Sequence, residues 1–291
     1  MGTQKRADRL KMSQSGQPIY GQNDGVGVLP DAGGSSTTHD GLVAVSNGDA
    51  SMSLDYAMLP ELFEDFLGSR VVALDSGLDA DNGPLVLKDV STGGSPTLAR
   101  VADAADGQLA LTMDTTSEAQ QLVLYANDEL NINTDQEPVF ICRASLDAQF
   151  AGSTSILVMG LAGPYNAAPD SVANHAWFRV EGANLNLLLE SDDATTDTDD
   201  IDSTTDLVAA TMAEFKVSTA AEDGASPTDV KFFYRTTLGG DWTEQKAADG
   251  TKFVIGANVD VQPYVHLGRA SGADADGIKL DYVRCYWKRS A

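Results

Sequence analysis

The eight residues HAWFRVEG, from His175 to Gly182, decide the fold. His175, Trp177, Arg179 and Glu181 fall on one side of an extended chain, and Ala176, Phe178 and Val180 on the other. Successive side chains of a strand point to opposite faces, so this alternation predicts a β-strand with one apolar and one mixed face. The same texture runs outward from it. Upstream stand QLALTMD, QQLVLY, PVFICRASL and SILVMGLAG. Downstream stand LNLLLE, DLVAATM, EFKVST, DVKFFYRTT, TKFVIG, VQPYVHLGR and IKLDYVRCYW. The connections, such as EGANL, LGGDW and SGADADG, carry the Gly, Asp and Asn of turns. Ten or more short strands with no long helical pattern between them predict an all-β fold, an antiparallel β-sandwich over residues 98–289. A doubly wound α/β fold is excluded.

The rest of the 291-residue chain reads differently. Residues 1–50 are rich in Gly, Ser, Asp and Gln and hold only small apolar pieces such as VGVLP and LVAVS. They lack the apolar area to offset their ordering entropy alone, and are expected to form an extended N-terminal arm. Residues 51–97 are expected to be an irregular docking segment with one short helix at 60–67, PELFEDFL. Pro60 suits the first helical position and Gly68 the stop. Leu62, Phe63, Phe66 and Leu67 would make one apolar face, which needs a partner because two helical turns are not stable in water.

Charge sets further bounds. The formal net charge is -24, which favours solubility and opposes general nucleic-acid binding. The first eleven residues run the other way: Lys5, Arg6, Arg9 and Lys11 stand against Asp8 alone, a basic patch fit to dock on an acidic neighbour. No apolar run approaches the roughly 18 residues a membrane-spanning helix needs, so no membrane partner is expected. The start, MGTQKRADRLKMSQ, has no apolar core of the kind a secretory signal carries. Cys142 and Cys285 each sit in a strand-like run. Buried free thiols are the expected state, with a disulfide left open if the two strands are neighbours.

The order PVFICRASL, ILVMGLAG, HAWFRVEG and a closing IKLDYVRCYW resembles the concanavalin A-like jelly-roll sandwiches of lectins, laminin-G-type modules and many tailed-phage structural proteins. Phe140, Ile141, Cys142 and Arg143 occupy the early strand of that pattern, without its acidic residue. Gly160 and Leu161 supply its Gly-Leu, and Asp281, Tyr282 and Val283 its closing Asp-Tyr-Val. The acidic composition and polar arm also look like virus head proteins. That resemblance implies a non-enzymatic virion structural protein: a capsid decoration or cement protein at the capsid surface, holding adjacent capsomers together. Its partners would be the major capsid protein, other virion proteins and copies of itself, a trimer being one candidate state. Lys5, Arg6, Arg9, Lys11, Leu62, Phe63, Phe66 and Leu67 are the candidate interface residues.

Two other functions use the same fold. The first is carbohydrate binding of lectin type. Tyr165 and Trp242 are the candidate stacking residues, with Trp177, Tyr234 and Trp287 behind them and Asn166, Asp170 and Asn174 as polar contacts. The second is glycoside hydrolysis or lyase chemistry, which in hydrolases needs two carboxylates across a sugar cleft. Glu181 and Glu190 end strand-like runs, but neither has an acidic residue two positions before it, so no catalytic residue is assigned. None of His39, His175 and His266 stands in a metalloprotease spacing, and no phosphate-binding or nucleophile motif occurs.

The run ESDDATTDTDDIDSTTD, Glu190 to Asp206, holds eight carboxylates and no base. It reads chiefly as a solvated loop, and no cofactor is required. Calcium is the one candidate ion, held by Asp197, Asp199, Asp200 and Asp202, with Asp274 and Asp276 contributing from a separate loop. An EF-hand is excluded, since the sixth and twelfth positions from Asp197 are Asp202 and Val208.

Overall fold

The structure is a computed structural model. It describes residues 60–66, 85–101, 107–152, 154–219 and 228–288, and four further strands as backbone alone. Three of these, β1 (Thr37–His39), β2 (Leu42–Ser46) and β3 (Met52–Asp55), form an antiparallel meander. The segment read as an extended arm therefore contains sheet. Lys5, Arg6, Arg9, Lys11 and Leu67 lie outside the described residues. Residues 1–59 and 60–291 are separate compact units.

The second unit is an antiparallel β-sandwich. Its strands are β4 (Glu61–Glu64), β5 (Ala73–Leu74), β6 (Val86–Asp89), β7 (Thr97–Arg100), β8 (Leu109–Thr112), β9 (Gln120–Tyr125), β10 (Ile132–Asn133), β11 (Val139–Leu146) and β12 (Ser155–Ala162). They continue as β13 (His175–Glu181), β14 (Asn186–Asp192), β15 (Asp197–Asp206), β16 (Ala213–Ser218), β17 (Asp229–Arg235), β18 (Thr243–Gln245), β19 (Phe253–Val254), β20 (Asp260–Arg269) and β21 (Gly277–Tyr286). The first sheet runs β15-β14-β13-β12-β20-β9-β6-β5, with β10 also on β20. The second runs β18-β17-β16-β11-β21-β8-β7, with β19 on β17 and β4 on β21. Among the described residues no helix is long and apolar enough to cross a membrane.

The inward faces meet in one apolar core. Phe178 of the first sheet packs edge-on against Phe215 and Phe232 of the second, at ring separations of 5.4 and 5.2 Å. Such tilted contacts are the favoured aromatic geometry and add to the gain from burial. Cys142 and Cys285 are buried and free. Their strands are neighbours, but Cys142 lies opposite Val283 and Cys285 opposite Phe140. The Cys142 thiol lies 3.7 Å from the Met159 sulfur.

Three expectations are corrected. Residues 61–64 are a strand, not the first turn of a helix at 60–67. Pairing of Leu62 with Cys285 and Phe63 with Arg284 replaces helical bonds with ladder bonds and divides the supposed apolar face. Leu62 enters the core, Phe63 turns out, and Phe66 returns to the core after the strand at φ 55°. Secondly, the sandwich begins well before residue 98, because β4, β6 and β7 belong to its sheets. Thirdly, the acidic run is mostly strand: Glu190 to Asp192 end β14, and Asp197 to Asp206 form edge strand β15. A charged edge is compatible with a strand because one side faces water, and the charges discourage pairing with another chain.

Candidate functional site

The outward face of the first sheet carries chemistry rather than plain solvent-facing polarity. Cross-strand register lines up Tyr125, Tyr264, Gly160, Trp177 and Glu190 in one row over five strands. Beside it runs Val123, His266, Val158, Arg179 and Leu188, and on the other side Gln262, Ala162, His175 and Asp192. Gly160 is required at the centre. A Cβ there would lie 2.2 Å from the Ala176 carbonyl oxygen and 2.6 Å from the Trp177 Cα. The face buries a second apolar cluster of Val123, Tyr125, Val158, Val172, Trp177 and Tyr264, with Tyr165 packed against it.

Trp177 organises the acidic end. His175 stacks on it at 3.7 Å between ring centres, and its indole N–H donates to Glu190 Oε2 at 2.5 Å. Arg179 Nη1 donates to Asp170, and Arg179 Nε to Glu181 at 2.9 Å. Glu190 is 1% exposed, and its Oε1 has no hydrogen-bond partner. Burial pushes its carboxyl up to about 8, against the pull of Arg179. Burial, with Asp197 and Asp200 alongside, pushes Asp199 up to about 6. His175 is likewise held below its ordinary value by burial. Its Nδ1 lies 2.8 Å from the Val172 carbonyl, and its Nε2 is buried without a partner. One ligand atom each from His175, Glu190 and Asp199 lies within 4.8 Å of the others.

A shallow, open recess of about 30 Å³ lies at the same end of the sheet, lined by Asp128, Asn131, Gly163, Pro164, Asp260 and Gln262. Half-buried Tyr165 stands beside it, its backbone N–H donating to Asp128 Oδ1 at 2.9 Å, with Lys88 Nζ 4.9 Å from its ring centre. Asn166 stays near through its amide, which donates to the Ser171 carbonyl.

Several sequence-named residues fall elsewhere. Trp242 lies on the outward face of the other sheet, its indole covered by Arg235 at 4.1 Å with Lys216 at 5.8 Å. Arg235 in turn holds buried Glu214 through both guanidinium arms, at 2.5 and 2.9 Å. Tyr165 and Trp242 therefore do not share one glycan site. Tyr234 and Trp287 pack against the core. The six candidate metal aspartates also divide. Asp276 is buried and accepts from Ala151 N–H, Gly152 N–H and the Ser155 hydroxyl. Ser155 opens β12, whereas Asp197 pairs through Asp192 and His175 to Ala162 at its far end. Asp276 is thus a structural acceptor, and it does not join Asp197, Asp199, Asp200 and Asp202. His175 and Glu190, which the spacing did not single out as ligands, are the groups that join Asp199. The signal was the shared face of His175 and Trp177; the missing information was the register that sets Glu190 opposite Trp177.

No family model matches the chain, and no curated protein matches it. Solved structures do. A protein of unknown function from Shewanella oneidensis superposes with a TM-score of 0.55 at 14% identity, covering 79% of this chain and 89% of that one. Lectin II from Ulex europaeus gives a TM-score of 0.47 at 7% identity, covering 78% of this chain and 97% of the lectin. A carbohydrate esterase from the Shiga toxin-encoding bacteriophage phi24B gives 0.42 at 13%, covering 74% and 94%. At these identities the likeness is one of fold.

Proposed function

We propose that the chain is a carbohydrate-binding module whose site is the recess beside Tyr165, at one end of the first sheet. The observation that carries this reading is the composition of that recess. It sets the carboxylates of Asp128 and Asp260 and the amide of Asn131 next to a half-buried aromatic ring. Sugar recognition needs this pairing: fixed acceptors and donors for hydroxyl groups, and an apolar ring to cover one face of the sugar. Buried Gln262 braces the floor, its amide donating to Asp128 and Gly163 and its oxygen accepting from Ala126 and Asp128. Binding is proposed without catalysis, because Glu190 lies under Trp177 and Arg179 and not in the recess. Saturation-transfer NMR with a mixed panel of oligosaccharides tests the proposal. Transfer to a subset of sugars, lost in Tyr165→Ala, is the expected result. No transfer to any sugar overturns it.

A second reading, capsid decoration at the virion surface, is favoured by one observation. Phe63 is 51% exposed, with its ring 5.9 Å from that of Tyr282. An exposed aromatic of this kind can serve as a contact for a protein partner. Phe63→Ala is then expected to weaken attachment to capsids; unchanged attachment removes the observation's force.

A further inference from the structure

We infer that His175, Glu190 and Asp199 form a binding site for one borderline divalent transition cation, of the zinc or manganese kind, and not for calcium. The inference adds an ion at the end of the sheet proposed above, but it stands on its own geometry and is tested without any glycan.

The first argument is the state of His175. Its Nδ1 faces the Val172 carbonyl at 2.8 Å. A carbonyl only accepts, so Nδ1 carries the proton and Nε2 presents a lone pair. This arrangement, an imidazole held by a backbone carbonyl on its other nitrogen, is how a metal-binding histidine is oriented. The ring cannot swing away, because it is stacked on Trp177 with an interplanar angle of 8°.

The second argument is the company that lone pair keeps. Glu190 is fixed through Oε2 by the Trp177 N–H, leaving Oε1 buried and without a hydrogen bond. Arg179 Nη1 stands 3.4 Å from Oε1, beyond a good hydrogen-bond length. Asp199 brings a further carboxylate oxygen from the edge strand. One ligand atom from each of the three residues thus lies within 4.8 Å of the others, with the Arg179 guanidinium at 3.4 Å from both Glu190 oxygens as the neighbouring donor. Buried polar atoms are normally satisfied, and two of these, His175 Nε2 and Glu190 Oε1, are not. A cation between them would give both atoms a partner.

The third argument selects the ion. Calcium takes six to eight oxygen ligands and no nitrogen is needed. One imidazole nitrogen and two carboxylate oxygens match zinc, manganese and their neighbours. Ligand atoms about 2.1 Å from such a metal sit roughly 3–4 Å apart. The set here, within 4.8 Å, needs a small contraction. Asp199 can supply it, since β15 is the outer strand of the sheet and its register on β14 is interrupted by bulges. Binding would therefore pin the edge strand to β13 across β14.

The experiment is calorimetric titration of the full chain, stripped with a chelator and dialysed, with zinc, manganese and calcium chlorides in turn. Zinc or manganese is expected to bind at one ion per chain and to raise the melting temperature. His175→Phe, which keeps an aromatic ring against Trp177, is expected to lose at least tenfold in affinity, and Asp199→Asn, on the exposed edge, to lose a similar factor. Asp274→Asn, on the separate loop, is expected to change nothing. Failure of all three ions to bind overturns the inference. So does calcium binding equally well in the wild type and in His175→Phe. Glycan binding that persists in chelator while no metal binds would overturn the ion and leave the recess proposal standing.

Discussion

His266 is the buried group whose titration should be easiest to read. Its side chain is fully buried between Val123 and Val158, and neither ring nitrogen has a hydrogen-bond partner. Tyr264 meets it edge-on at 6.2 Å, and Gly268 leaves room for Nε2 where a Cβ would come within 2.6 Å. Burial first, and the charge of Arg179 second, push its pKa down to about 4 from 6.5; Asp170 acts weakly the other way. The native state therefore holds His266 neutral, while the unfolded chain takes up a proton as pH falls below 6.5. Between pH 6.5 and 4 the unfolded state binds more protons, so acid destabilises the fold over that window. At about 1.4 kcal/mol per unit, this group accounts for a loss of roughly 3 kcal/mol. The many carboxylates of the chain contribute their own pH dependence, so the test is a difference. His266→Leu removes the titrating nitrogens and leaves the carboxylates in place. Urea unfolding of both proteins at about pH 7 and pH 4 should show the wild type losing roughly 3 kcal/mol more than the variant. Equal losses in the two proteins would refute the reasoning, because His266 would then be charged or solvated in the native state.

Other perturbations test the architecture. Asp276→Asn should destabilise the fold by roughly 1–3 kcal/mol in the same urea assay, because the loop at 151–155 loses a charged acceptor while metal titrations stay unchanged. Gly160→Ala should cost at least roughly 1–3 kcal/mol by thermal melting, since backbone atoms of the neighbouring strand occupy the Cβ position. Cys142 and Cys285 should resist a thiol reagent in the native state and both react in denaturant; burial raises both thiols well above their ordinary pKa.

Much of the sandwich was legible because its strands alternate. HAWFRVEG showed its two faces directly, and one of them holds Trp177, His175 and Arg179 in the candidate site. Short elements were not legible in the same way. ELFE is too brief to display a period, and its capping residues favoured a helix; pairing with β21 overrode that local preference. The acidic run concealed a strand because an exposed edge has no apolar alternation to display, apart from Ile201 packed against the core. The meeting of His175, Glu190 and Asp199 depends on the registers of β13, β14 and β15, which composition does not encode. Asp276 looked like a ligand in SGADADG, and only the folded loop at 151–155 reveals what it holds.

The most direct test of the central claim is a glycan microarray probed with the intact chain, with Tyr165→Ala and with Trp242→Ala. The recess account predicts binding to a discrete set of glycans, lost in Tyr165→Ala and retained in Trp242→Ala. Binding that survives in Tyr165→Ala and disappears in Trp242→Ala would move the site to the opposite sheet, and an intact chain that binds no glycan would contradict the account.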